Sequence, residues 1–155
     1  MAIGWGEFEA REPELAATSR RLLYPIGPKG PGLGFLATTR ADGGPRVHPV
    51  CPGLHAGGLY VFVTGGSPKR FDLERDGRYA LHAYPAEKDD ESFYCIGRAL
   101  VVAEPARRKA AESAVTHHVK PEDVLFELRL ARVLHTIWRN PRQPGTQPVY
   151  HRWQP

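Results

Sequence analysis

The chain has 155 residues, 16 of them glycine and 15 proline, so about one residue in five favours turns. That composition argues against a helix bundle, and a hydrophobic fraction of 41% is enough to build one core, which argues against disorder. A net charge of +4, from 21 basic and 17 acidic residues, is modest for a nucleic-acid coat and suits a small anionic ligand. No stretch approaches the roughly 18 apolar residues of a membrane span. The first twenty residues carry Glu7, Glu9, Glu12 and Glu14 and lack the apolar core of a secretion signal. Cys51 and Cys95 are too few for a disulfide framework, and no Cys/His cluster has zinc spacing. These features lead us to expect a cytoplasmic protein with no metal, no nucleic-acid partner and no membrane partner.

In chain order, Glu12 to Leu23 reads as a helix with Leu15, Leu22 and Leu23 on its apolar side, ended by Pro25, Pro28 and Pro31. Gly34 to Arg40 reads as a strand. Ala41–Asp42–Gly43–Gly44 is a hairpin turn, and Pro45 to Leu54 is the returning strand. His55–Ala56–Gly57–Gly58 is a second turn, before the strand Leu59 to Thr64. Three strands joined by two glycine turns predict a meander in which the second strand pairs with the third. Ser67 to Asp76 switches to helical spacing, with Ser67 suited to the N-cap and Pro68 to the first helical position. Tyr79–Tyr84 and Phe93–Ala103 follow as strands, separated by a charged loop at 87–91. Pro105 opens a helix running to about Val119, and Phe126–Trp138 is a further strand. Residues 140–148 form a loop, and Val149–Trp153 is a short terminal piece. The sum is one domain over 1–155: an N-terminal helix and loop (1–32), a mainly β barrel (33–138) and a C-terminal tail (139–155). About six antiparallel strands are expected to curl into a barrel and so remove exposed edges.

One constellation carries chemistry. The strand holding Arg46, Val47, His48, Pro49 and Val50 precedes the strand that ends at Val63–Thr64, and Gly65–Gly66–Ser67–Pro68–Lys69–Arg70 comes directly after. A glycine pair, a hydroxyl and two cations at a helix start are what an anionic headgroup requires: free backbone N–H groups, a hydroxyl donor and charge. Hairpin pairing would bring Arg46 close. The same residues also read as a hairpin, a capped helix and two solvated cations. Elsewhere, Cys51 reads as a small core residue or a reactive thiol, Cys95 as structural, and His117–His118 as cations near a helix end. Five arginines (Arg129, Arg132, Arg139, Arg142 and Arg152) and no acid lie between Leu128 and Pro155. Trp138 and Trp153 are candidates to cover a planar ring.

Three segments together resemble the pyridoxamine 5'-phosphate oxidase-like superfamily. They are Gly34–Arg40 with Asp42–Val50, Leu59–Thr64 with Ser67–Arg70, and Leu73–Leu81. The likeness covers roughly residues 33–104. It implies a six-stranded split β-barrel, a homodimer and a site for FMN, or alternatively the deazaflavin coenzyme F420, at the subunit interface. It implies that Arg46 meets the phosphate, with Val47, His48, Pro49 and Val50 beside the ring or ribityl chain. It implies further contacts from Val63 and Thr64, from Ser67, Lys69 and Arg70 on the phosphate, and from Trp153. Oxidases of pyridoxamine phosphate grip their substrate phosphate with a C-terminal Arg and His. Here Tyr150–His151–Arg152–Trp153 is similar in kind but short, which points instead to the flavin and deazaflavin reductases. The implied activity is a flavin-dependent oxidoreductase acting on a small organic substrate or oxygen. The alternatives are an F420-dependent reductase and a non-catalytic flavin- or haem-binding protein. His48 is the candidate ring contact or proton donor. Specificity would lie in the loops at 24–33, 85–92 and 139–148.

Overall fold

The computed structural model describes residues 1–85 and 90–155. Helices α1 (Trp5–Arg11) and α2 (Pro13–Leu23) come first, then strands β1 (Gly34–Thr39), β2 (Pro45–Val50), β3 (Gly53–His55) and β4 (Gly58–Val63). Helix α3 (Pro68–Arg75), strands β5 (Arg78–Ala83) and β6 (Glu91–Val101), helix α4 (Pro105–Glu112), and strands β7 (Val124–Arg139) and β8 (Gln147–Trp153) complete the chain. The eight strands form one antiparallel sheet in the order β2-β1-β5-β6-β7-β4-β3, with β8 paired to β7. The sheet is mainly β and of the split-barrel type. It does not close, so β2, β3 and β8 remain as edges and the expected loss of edges does not occur.

Eight strands replace the expected six for two local reasons. Pro52 cannot donate to a ladder, so the predicted strand Pro45–Leu54 breaks into β2 and β3. The terminal piece lengthens to Gln147–Trp153 because it finds a partner along Val133–Arg139. The predicted meander is also corrected. β2 pairs with β1 alone, β3 pairs with β4, and β4 goes on to pair with β7, so β2 and β4 are not hydrogen-bonded neighbours. Both glycine turns form. Gly43 and Gly57 take positive φ, and Ala56 beside Gly57 does so as well, as a two-residue hairpin turn requires.

Helix α1 was not anticipated, because its seven residues follow Gly4 and include Gly6. Trp5 and Phe8, one turn apart, hold it. Both are buried, their rings meet edge to face at 5.4 Å, and Phe8 also meets Trp153 at 4.8 Å. Pro13 separates α1 from α2: Glu12 before it leaves the helical region and Pro13 opens the next helix. Helix α4 stops at Glu112, short of Val119. The Ser113 hydroxyl donates back to the Ala110 carbonyl, and the β-branched Val115 and Thr116 follow. Of the charged loop expected at 87–91, residues 87–89 lie outside the described residues, and Glu91 begins β6. Glu91 accepts from Arg21 of α2 at 2.8 Å and pairs with buried His135 of β7 at 2.8 Å, fastening α2 to the sheet.

The core lies between the curled sheet and helices α1 and α2, around Trp5, Phe8, Leu23, Leu36, Leu81, Phe93, Phe126 and Leu128. Cys95 is in it, and burial pushes its thiol up to about 12, so it is inert. Among the described residues no helix is long and apolar enough to cross a membrane, and no cluster of three or more His, Cys, Asp or Glu could hold a metal.

Strand β7 is the longest, with β6 along one side and β4 then β8 along the other. Its register against β6 shifts between Ile96 and Gly97, where Ile96 faces Arg132 but Gly97 faces Leu130. The extra residue, Ala131, is a bulge, and Gly97 lets the backbones approach there. A Cβ on Gly97 would lie 1.8 Å from the Arg129 carbonyl oxygen, whereas one on Gly66 would meet nothing within 4 Å. Gly97→Ala should therefore lower unfolding stability by about 3 kcal/mol while Gly66→Ala changes it by less than about 0.5 kcal/mol, as read from urea unfolding midpoints.

Candidate functional site

Strand alternation divides β2 into two faces. Arg46, His48 and Val50 lie on the inner face, and Val50 is in the core. Pro45, Val47 and Pro49 are exposed on the other. The site residues expected along this strand thus do not share one surface: Val47 and Pro49 offer an apolar face to solvent, while Arg46 and His48 turn toward α3. As an edge strand, β2 also keeps one side of its backbone free of any strand partner.

Helix α3 brings the cluster together in place of the predicted strand pairing. Its Asp72, 3% exposed, accepts from Thr38 of β1 at 2.9 Å, from Arg46 Nε at 2.7 Å and from Arg75 at 3.3 Å. Burial alone would raise the Asp72 pKa. The hydrogen bonds from Arg46, Thr38 and Arg75, with the Arg46 charge, outweigh burial and hold the carboxyl below its ordinary value. The sequence reading missed Asp72. Its partners lie 34 and 26 residues away in the chain, so no local spacing announces them.

Lys69 lies close enough to His48 to act on its charge. Burial lowers the Lys69 pKa, and among the described residues it has no ion-pair partner. Burial, then the Lys69 and Arg46 charges, lower the His48 pKa against the opposing pull of Asp72, so its ring is neutral at pH 7. His48 Nε2 is buried without a hydrogen-bond partner. An anion with acceptor oxygens would satisfy both the unpartnered ring nitrogen and the cation that lacks a counterion.

The other expected residues divide. Ser67 occupies the N-cap position of α3, but its side chain makes no capping bond. Arg70 is already engaged, donating to the Gly65 carbonyl at 2.8 Å and to Glu74 at 2.9 Å. Val63 is fully buried in the core, so only its backbone faces outward possibilities, while Thr64 after it is exposed. Trp153 is not brought to this cluster within the chain. It lies on β8, separated from β2 by four strands of the sheet. Cys51, half-buried just after β2, is a free thiol.

A carboxylate held below its ordinary pKa stabilises the fold above that ordinary value, about 3.9, and stops doing so as pH falls through its folded value. Asp72→Asn should therefore cost about 2 kcal/mol at pH 7, and the difference from the parent chain should shrink by pH 3. Urea unfolding at the two pH values checks this, and an equal difference at both would contradict the assignment.

Comparison with known proteins places the geometry in a family. The family profile for pyridoxamine 5'-phosphate oxidase matches residues 27–137, well over half of the chain. No curated protein sequence matches. Among solved structures, a haem-binding protein from Mycobacterium smegmatis is similar at 19% identity and a TM-score of 0.65, over 89% of this chain and 57% of that one. PhzG from Burkholderia lata 383, solved with tetrahydrophenazine-1-carboxylic acid, is similar at 15% identity and a TM-score of 0.59, over 97% and 93%. An F420 reductase is similar at 18% identity and a TM-score of 0.55, over 71% and 94%. At these identities the structures speak for a shared fold alone. The family match agrees with the open sheet and with β2 at its edge, and the chain belongs to the pyridoxamine 5'-phosphate oxidase family of split barrels.

Proposed function

We propose that this chain binds FMN and serves as an oxidoreductase, passing hydride or electrons between the flavin and a small organic substrate or oxygen. The observation that carries the reading is the pair of unsatisfied groups beside α3: Lys69 without a counterion and His48 Nε2 without a hydrogen-bond partner. Both fit a phosphate-bearing ligand, whose oxygens accept from cations, hydroxyls and backbone N–H groups.

In this reading Lys69 supplies the main charge to the phosphate, and the uncapped Ser67 hydroxyl adds a donor. Arg46 spends its Nε on Asp72, which fixes the guanidinium, and offers its remaining nitrogens. Arg70 contributes least, because Glu74 and the Gly65 carbonyl hold it. The free backbone edge of β2 lies along the polar rim of the ring, with Val47, Pro49 and Thr64 at its margins. A neutral His48 offers one nitrogen to the ligand as donor. The flavin, when bound, supplies the redox chemistry; the chain binds and orients it and keeps water from it. Trp153 reaches such a ring only from a second copy, so we place the site at the interface of a homodimer. Two free cysteines, one of them buried, suit the reducing cytoplasm.

The acid-free, arginine-rich stretch after Glu127 favours a second reading, a deazaflavin with a longer anionic tail. Purified protein that is yellow, with flavin absorption bands, supports FMN; colourless protein that takes up F420 but not FMN supports the second. Lys69→Ala should weaken FMN binding at least about tenfold, and Arg70→Ala by less than about threefold, measured by flavin fluorescence quenching. FMN affinity unchanged in Lys69→Ala and in Arg46→Ala would remove this site. His48→Ala with unchanged binding and turnover would remove the role given to His48.

A further inference from the structure

A second cavity lies on the outer face of the sheet, across β6, β7 and β8. It has a volume of about 460 Å³ and is lined by Tyr94, Ile96, Arg132, Leu134, Arg152 and Trp153, among others. That volume falls in the range of small-molecule sites, about 300–1,000 Å³. We propose that it binds a small apolar carboxylate, an aromatic acid by preference, as a ligand separate from the flavin. The proposal goes beyond the flavin reading and does not depend on it.

The strand register builds the cavity. Tyr94 faces Leu134, Ile96 faces Arg132, and Leu134 faces Arg152, so these five side chains share one face. Arg132 and Arg152 are diagonal neighbours on adjacent strands, about 7 Å apart in such a pairing. One carboxylate between them can accept from both. Among the described residues neither arginine makes a hydrogen bond or an ion pair, and no acidic residue lines the cavity. No Asp or Glu occurs between Leu128 and Pro155, and the acids near Arg152, namely Glu12, Glu14 and Glu91, line the adjoining cavity that it also borders. Two guanidinium groups facing an apolar floor leave a positive potential that water screens less well than on open surface.

Arg152 is held in place from two directions. The Arg152 guanidinium sits over the Tyr150 ring, 4.5 Å from its centroid. Trp153, next along β8, turns to the core face with Val133 and packs on Phe8 of α1, which fixes the strand that carries Arg152. Ile96 and Leu134 supply the apolar floor, with Tyr94 as an aromatic wall. This arrangement discriminates by charge and by apolar area together. It disfavours neutral aromatics, which leave the arginines unpaired, and small inorganic anions, which leave the floor wet. The cavity shares no lining residue with the Arg46, His48, Lys69 and Asp72 cluster.

The test is calorimetric titration of the full chain with 2-naphthoate and with its neutral isostere 2-naphthamide. We expect saturable naphthoate binding at least about tenfold tighter than amide binding, and a double Arg132→Gln/Arg152→Gln variant that loses this preference. Both arginines are exposed and glutamine keeps the apolar stem, so the variant should unfold at an unchanged urea midpoint. Lys69→Ala should leave naphthoate affinity intact. The proposal is overturned by absence of saturable binding, by equal affinity for acid and amide, by an unaltered preference in the double variant, or by displacement of naphthoate on adding FMN. Loss of FMN binding in Lys69→Ala with naphthoate binding retained would separate this site from the flavin site.

Discussion

An open sheet has edge strands whose positions hydrogen bonding secures on one side only. In this chain the edge that matters is β2, and a buried carboxylate secures its other side. Asp72 reaches from α3 to Thr38 on β1 and Arg46 on β2, so a helix that follows β4 is tied to strands at the far end of the sheet. The bond spans the split that strand pairing leaves unbridged. A buried ion pair of this kind adds little net stability compared with a well-packed apolar contact, but losing one partner leaves a charge stranded. Its value is geometric: it fixes where Arg46, His48 and Lys69 stand relative to one another.

That geometry separates cations which the sequence presents as equivalents. Arg46, Lys69 and Arg70 all read as phosphate ligands. In the fold, Arg46 shares a carboxylate with Thr38 and Arg75, Arg70 is held by Glu74, and Lys69 keeps no counterion. A net charge of +4 said little about binding. What distinguishes the site is the pairing of each charge, which depends on residues dozens of positions apart. Those pairings leave Lys69 without a counterion and make Arg70 a support of the helix that carries it.

Much of the architecture was legible because its signals are local. The Asp42–Gly43–Gly44 and Ala56–Gly57 turns, the Ser67–Pro68 helix start and the run Leu59–Val63 need only neighbouring residues to be read. What was not legible depends on distant partners. Helix α1 exists because Trp5 and Phe8 fit a core supplied by other elements. The second strand's partner could not be chosen from glycine turns, since β4 is offered both β2 and β7, and Pro52 decides against a continuous meander. Strand β8 is visible only as the complement of β7. At the site, Arg46, His48 and Lys69 were named from the sequence and do assemble, whereas Asp72, which assembles them, was not.

The bulge in β7 joins the fold to the outer face. Along β7 the inward-facing residues are Phe126, Leu128 and Leu130, then Val133 and His135, while Leu125 and Thr136 are buried on the opposite face, so the inward positions change from even to odd across Ala131. A strand of strict period two would carry Arg132 into the core with Leu130, where an unpaired guanidinium is prohibitively costly. One extra residue turns Arg132 outward beside Ile96 and keeps Val133 inward. The break is written in the sequence, as the step from Leu128 and Leu130 to Val133, and it requires a glycine opposite, which Gly97 supplies. The same bulge that lets a 16-residue strand serve three neighbours therefore sets a cation on the outer face, where Leu134 and Arg152 complete the cavity. Removing the bulge by deleting Ala131 would reverse this parity and so abolish the cavity's charge along with its floor.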